Sequence, residues 1–278
     1  DSVKKLPFSP EKQAYTRLLT AVLEQKNGQL KESERETRAF LAAVPADQRG
    51  LLLLSQLLHQ QNRSEESIKL LSKALKDRPK NRPLRLQYAR FLAANTPDKA
   101  IAQFEILRAD NPKDQEVNFL LALMQLSDGN ITAAEELLEQ ASAKPSLRSD
   151  AQYHLGVISE QKEDIAGAMS HYTQVRFGRN YVAAASRLSA LLAKHRSMSQ
   201  AQQYLQRMRS SQPTQAVILF QVESNLLLNA QKPSQALVVL SSGLDYFPND
   251  PQLLYARSMV AEQQDDFALA EQDLRAIL

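Results

Sequence analysis

The stretch GLLLLSQLLHQQNRSEESIKLLSKALKDRPKNRPLRLQYARFL, residues 50–92, decides the fold. It holds two small residues, Ser55 and Ser67, set among bulky apolar ones: Leu54 and Leu58 around the first, Leu71 and Ala74 after the second. Two helices of about 13–15 residues fit that spacing. The small residues mark the places where the helices cross too closely for a large side chain. Pro79 then stops the second helix, because proline cannot continue the hydrogen-bond ladder. Outward from this unit the pattern recurs. First-helix small residues run Ala21, Ser55, Ala89, Ala122, Gly156, Ser189, Ser224 and Ser258, at steps of 33 to 35 residues. Second-helix ones run Ser33, Ser67, Ala100, Ala134, Ala168, Ala201, Ala236 and Ala270, at the same steps. Pro45, Pro79, Pro112, Pro145, Pro213 and Pro248 keep the period too, with one slot skipped near Gly178. Three independent series on one period predict eight helix–turn–helix units.

Helices are expected from 10–26 to 267–278, with 147–162, 165–176 and 213–230 among those between. Turns fall at Asn27-Gly28, Thr96-Pro97 and Asp128-Gly129-Asn130, and Ser9-Pro10-Glu11 opens the first helix. Leu121, Leu138 and Ala141 fill inner positions of the fourth unit. The junction Arg176–Tyr181 is expected to deviate, since Gly178 replaces the helix-stopping proline.

Composition agrees. Of 278 residues, 43% are hydrophobic and 23% charged, and only 7 are glycine, which favours helices over a turn-rich β fold. There is no cysteine, so disulfides, thiolate chemistry and Cys-ligated zinc are excluded. No window approaches 18 apolar residues, so no membrane-spanning helix is expected. The net charge of +3 is too small to be a nucleic-acid footprint.

The runs Leu54-Ser55…Ser67…Leu71…Ala74…Pro79, Leu155-Gly156…Ala168…Tyr172 and Leu188-Ser189…Leu192…Ala201…Leu205…Pro213 resemble the tetratricopeptide repeat (TPR) family. The resemblance covers roughly residues 10–278. It implies an all-α, right-handed α-solenoid superhelix of about eight units, a single solenoid over 10–278 after a tail at 1–9, and a protein-binding scaffold rather than an enzyme. A narrower resemblance rests on Asn81–Arg90, on Ala151-Gln-Tyr-His-Leu-Gly156 and on Leu253-Leu-Tyr-Ala-Arg-Ser-Met259. These look like the TPR lipoproteins of Gram-negative bacteria. That likeness implies a periplasmic adaptor tethered to the outer membrane, which holds a carboxyl-terminal processing protease and its cell-wall-hydrolase substrates. This chain lacks the lipidated cysteine, so membrane attachment would come only through an anchor upstream of it.

Motifs for chemistry are missing. The four histidines (59, 154, 171, 195) form no His-Glu-x-x-His, and there is no Gly-rich phosphate loop or Gly-x-Ser-x-Gly elbow. His154 and His171 lie on the two helices of one unit but lack a carboxylate at metal-ligand spacing. Pairs such as Glu135-Glu136 fall on the outer face of an amphipathic helix. No catalytic residue, cofactor or metal site is expected.

In a TPR superhelix the first helices line the concave surface. That register implies a partner-binding groove of Arg49, Gln56, His59, Arg90, Phe119, Leu123, Tyr153, Val157, Lys194, Asn225, Tyr255 and Met259. The partner expected there is a protein or extended peptide, with an apolar middle at Phe119, Leu123, Tyr153 and Val157 flanked by Arg90 and Lys194. The cationic set with which some TPR domains clamp a C-terminal carboxylate is absent, its places being taken by Leu52, Gln56, Leu86 and Arg90. Between Asp164 and Glu223 there is no acidic residue, which predicts a basic patch of Arg176, Arg179, Arg187, Arg196, Arg207 and Arg209 with an acidic partner. A second block, Lys69 to Arg90, sets eight basic residues against Asp77. Nucleic acid is not expected at either, since aromatic residues are not interleaved as stacking platforms. An alternative reading makes the chain a structural or assembly subunit of a cell-envelope complex, using its convex face or its ends. The chain starts at Asp1 without Met and ends on Leu274, Ile277 and Leu278 in a second helix. It therefore reads as an excised piece whose last unit is truncated and uncapped, with further repeats or another molecule expected to cover that end.

Overall fold

The structure, a computed structural model, describes residues 10–278. The N-terminal tail at 1–9, and with it the Ser9 turn, lies outside the described residues. Among the described residues there are sixteen α-helices, one short 3-10 turn and no strand. The chain divides into two compact units, Asp1–Leu137 and Leu138–Leu278.

In the first unit α1 (Pro10–Lys26) pairs with α2 (Leu30–Ala43), α3 (Gln48–Gln60) with α4 (Ser64–Asp77), and α5 (Arg82–Leu92) with α6 (Pro97–Asp110). α7 (Gln115–Ser127) follows, and the division falls inside α8 (Ile131–Ser142). In the second unit α9 (Pro145–Gln161) pairs with α10 (Ile165–Thr173), and α11 (Tyr181–His195) with α12 (Met198–Ser211). α13 (Ala216–Asn229) pairs with α14 (Pro233–Tyr246), and α15 (Pro251–Gln263) with α16 (Phe267–Ile277).

Both series of small residues are buried throughout. The contact they permit is visible in two pairs: Ser33 Oγ donates to the Ala21 carbonyl at 2.6 Å, and Ser67 Oγ to the Ser55 carbonyl at 2.8 Å. A β-carbon at Gly156 would lie 2.5 Å from the Tyr172 ring, so this crossing has no room for even a methyl group. Side chains four residues after each second-helix small residue close the core against the next helix. Leu71, Phe104, Leu138, Tyr172, Leu205 and Leu240 are all fully buried. The matching Leu274 on α16 is 46% exposed.

Each proline slot does more than end a helix. In Pro45-Ala-Asp47, Pro79-Lys-Asn81, Pro112-Lys-Asp114 and Pro248-Asn-Asp250 the third residue caps the next helix. Asp47 Oδ1, for example, accepts from the backbone N–H of Arg49 at 2.8 Å and of Gly50 at 3.2 Å, satisfying donors the helix leaves open. In six of the eight helix pairs the turn between the paired helices uses one left-handed residue. Gly28 and Gly129 supply it at φ near +80°, and Asn62, Glu163, Gln231 and Asp265 adopt it at φ 56° to 62°.

Three boundaries differ from expectation. α10 ends at Thr173 rather than 176: Val175, at a register position the core requires, stays buried while the backbone leaves the helix, and Gly178 turns it at φ 90°. α9 starts at Pro145, which serves as a first helical residue instead of a stop. Residues 213–215 form a separate 3-10 turn before α13.

Candidate functional site

The first helices carry the residues of the expected groove, and the structure assigns them unequal roles. In the first unit Arg49 is held: it forks onto Asp47 (2.9 Å) and lies over the Tyr15 ring at 4.8 Å. The guanidinium beside Asp47 holds that carboxyl below its ordinary value, with the backbone N–H bonds adding to the effect. His59 stacks on Phe91 with centroids 4.3 Å apart and meets Ser64 Oγ at 2.9 Å. Arg90 donates to Glu116 at 2.7 Å, and Glu116 also accepts from Arg82 at 3.2 Å, while Arg82 reaches Asp114 at 2.6 Å. Burial pushes the Asp114 carboxyl up, but the bonds from Arg82 and the Val117 N–H outweigh it and leave it below its ordinary value. Gln56 is exposed and Leu123 half-buried. Phe119 is only 5% exposed, so the expected exposed aromatic at this place is a core residue.

In the second unit Tyr153 and Val157 are half-buried, and the Tyr153 ring leans on Tyr172 (6.1 Å between centroids). Beside them Arg187 donates to Glu160 at 2.5 Å. Lys194 and Asn225 are exposed. On α15, Tyr255 and Met259 stand one turn apart at 55% and 48% exposure. Together they present the largest uncovered apolar surface that a first helix of this unit offers.

The expected basic patch is divided by the fold. Arg179 reaches Asp150 at 3.9 Å, Arg187 is taken by Glu160, and Arg209 binds Glu223 at 2.5 Å with its guanidinium 4.2 Å above the Phe220 ring. All three carboxylates lie outside the acid-free stretch and arrive from adjacent helices. Arg176, Lys194, Arg196 and Arg207 remain exposed with no ion pair among the described residues. A positive run along the chain is therefore not a positive face.

Two buried ion pairs were not anticipated. Glu223 and Arg257 stand immediately before the small residues Ser224 and Ser258, where other units carry Leu54, Leu121, Leu155 and Leu188. Arg209 answers Glu223, and Asp273 answers Arg257 at 2.6 Å. That break in the leucine column was the available signal. His171 Nδ1 meets Gln152 Oε1 at 2.7 Å, and burial pushes the His154 imidazole below its ordinary value. Among the described residues no three His, Asp or Glu side chains stand close enough to hold a metal ion, and no helix is long and apolar enough to cross a membrane.

The pattern of one known family, described as tetratricopeptide repeat, matches residues 18–82, 90–147, 126–181 and 222–278. A TPR repeat-containing protein of Pseudomonas aeruginosa is 36% identical over 229 residues, 82% of this chain. The chain spans 39% of that relative's length. Among solved structures, PilF of Pseudomonas aeruginosa superposes with a TM-score of 0.61 at 14% identity, over 74% of this chain and 95% of its own. MamA of Desulfovibrio magneticus gives 0.52 at 20% identity, over 60% and 94%. At such identities the likeness is one of fold.

Proposed function

The chain belongs to the tetratricopeptide repeat family, and from that premise we propose that it is a non-enzymatic adaptor, holding a protein or extended peptide on its first-helix face. The observation that carries this reading is the exposed pair Tyr255 and Met259 on α15. Exposed apolar groups set together mark interaction sites. Asn225 on the adjacent first helix and Gln221, which donates to the Gln252 carbonyl at 3.2 Å, supply polar groups nearby. Leu253–Met259 is also one of the stretches that look like the Gram-negative TPR lipoproteins. In that finer reading the chain works in the periplasm, tethered to the outer membrane, and brings a carboxyl-terminal processing protease to its cell-wall-hydrolase substrates. The 36%-identical Pseudomonas relative supports a Gram-negative setting.

The test is affinity capture from an envelope fraction, read by mass spectrometry, with Tyr255→Asp plus Met259→Asp beside the parent. Loss of a captured protein with unchanged sedimentation supports the adaptor; unchanged capture removes this pair from the site. A second reading, an assembly subunit, draws on Phe267 and Leu274 of α16, both exposed. It predicts instead that Leu274→Asp alters the sedimentation coefficient.

A further inference from the structure

The basic block Lys69–Arg90 comes apart in the first unit. Its arginines are engaged: Arg82 and Arg90 with Asp114 and Glu116, Arg85 with Gln103 and the Pro79 carbonyl, Arg78 with the Ala46 carbonyl. Its lysines are not. Lys69, Lys73 and Lys76 recur at steps of four and three along α4, and Lys80 follows in the turn beyond it. Those steps put them on one side of the helix. All four are exposed and none has an ion pair among the described residues. Glu66, at the acidic start of α4, is already taken by Arg63 at 2.7 Å, which leaves Glu65, one turn before Lys69, and Asp77 as the acids beside four lysines.

Beside this row the second-helix side of the unit is notched. A cavity of about 320 Å³ opens between the α2–α3 turn and α4. Pro45, Leu51, Leu70 and Ala74 form its apolar floor, and Lys73, Asp77 and Arg78 line it as charged groups, two cations to one anion. The second unit has a notch in the same register, about 550 Å³, lined by Pro213 and Phe220. There Ser242 occupies the place of Lys73 and Tyr246 that of Asp77. The repeat architecture thus makes the notch, and only the first unit's copy carries the lysines.

We infer that the α4 notch is a second docking surface, and that its occupant is an acidic segment of a partner protein which seats an apolar side chain on Leu51 and Leu70 while its carboxylates meet Lys69, Lys73, Lys76 and Lys80. Charge complementarity selects an acidic partner, and the concave apolar floor selects a side chain over a flat lipid surface. The surface lies on second helices, apart from Tyr255 and Met259, so it stands or falls independently of the adaptor face.

The probe is a fluorescein-labelled peptide with glutamates flanking a central leucine, followed by fluorescence anisotropy on the full chain. Saturable binding is expected, weakening as salt rises. Replacing the four lysines together (Lys69→Gln, Lys73→Gln, Lys76→Gln, Lys80→Gln) should weaken it by about tenfold, the scale of four exposed charge pairs. Serine in place of the probe's leucine should weaken it also, whereas Tyr246→Ala should leave it at the parent value. The lysines are exposed and make no internal bond, so the variant is expected to fold; its circular dichroism melt checks this. Absence of saturable binding, parent affinity in the lysine variant, or indifference to the leucine overturns the inference. So does a lysine-dependent association with phosphatidylglycerol vesicles that exceeds peptide binding, since that would make the row a membrane surface.

Discussion

Removing the Glu223 carboxylate isolates the energetics of a charge placed where the repeat calls for leucine. Its side chain is 5% exposed and accepts from Arg209 at 2.5 Å and from Gln202 Nε2 at 3.1 Å. Arg209 is itself 15% exposed and keeps the Phe220 ring beneath it. Breaking a buried pair by deleting one partner typically costs about 3–5 kcal/mol, because the remaining charge is stranded. Here the cation keeps its ring and a little water, so Glu223→Ala should fall near the low end, about 3 kcal/mol. For a chain of this size that corresponds to a fall of roughly 6–12 °C in melting temperature. Replacing both partners by apolar residues of similar volume (Arg209→Met with Glu223→Leu) should restore most of the loss, since neither charge is then buried alone. Urea titration and a circular dichroism melt of parent, both single variants and the double variant complete the cycle. Hydrogen exchange should locate the opening in α12 and α13. If Glu223→Ala melts within about a degree of the parent, or if the double variant loses the sum of the singles, the pair is not a coupled unit and the reasoning fails.

Other outcomes are expected from single positions. Gly156→Ala should cost about 1–3 kcal/mol, because the added carbon meets the Tyr172 ring at 2.5 Å; an unchanged urea midpoint would contradict it. Ala168→Leu, at a fully buried crossing, should cost a similar amount by the same assay. Glu163→Gly should stabilise by up to about 1 kcal/mol, as Glu163 holds φ 59° where two other units use glycine; a lower melting temperature would refute it. At Glu34, burial pushes the carboxyl up, but bonds from Arg38, Gln61 and Arg63 outweigh it and hold it below the ordinary 4.5. A lowered folded value gives stability that is present above 4.5 and lost as pH falls through that folded value. Glu34→Gln should therefore be less stable than the parent at neutral pH, with the gap closing below about pH 4.5 in a pH series of urea midpoints.

Repeat number, helix pairing and close crossings were legible in the sequence because steric exclusion writes them locally. A crossing admits only Ala, Gly or Ser, and the same requirement recurs at every unit. Helix starts were legible in principle: an Asp or Asn two residues past the proline recurs at 47, 81, 114 and 250, and each one caps. Where the proline was missing, at Gly178, the expected deviation was found but not its extent, since Val175 is held by packing that no local signal reports.

Surface character was legible far less well, and the reason is geometric. Stacked repeats set a residue beside others about one period away, so beside the local pairs many ion pairs join residues far apart in sequence. Arg187 meets Glu160 across 27 residues and Arg82 meets Glu116 across 34. A window of the chain that lacks acids is therefore no guide to the charge of the face it forms. The lysines of α4 escape this cancellation: among the described residues no carboxylate comes within ion-pair distance of Lys69, Lys73, Lys76 or Lys80. Register alone says which way a side chain points, and Phe119, buried at a place where Tyr153 is half-buried and Tyr255 exposed, shows that it does not fix exposure.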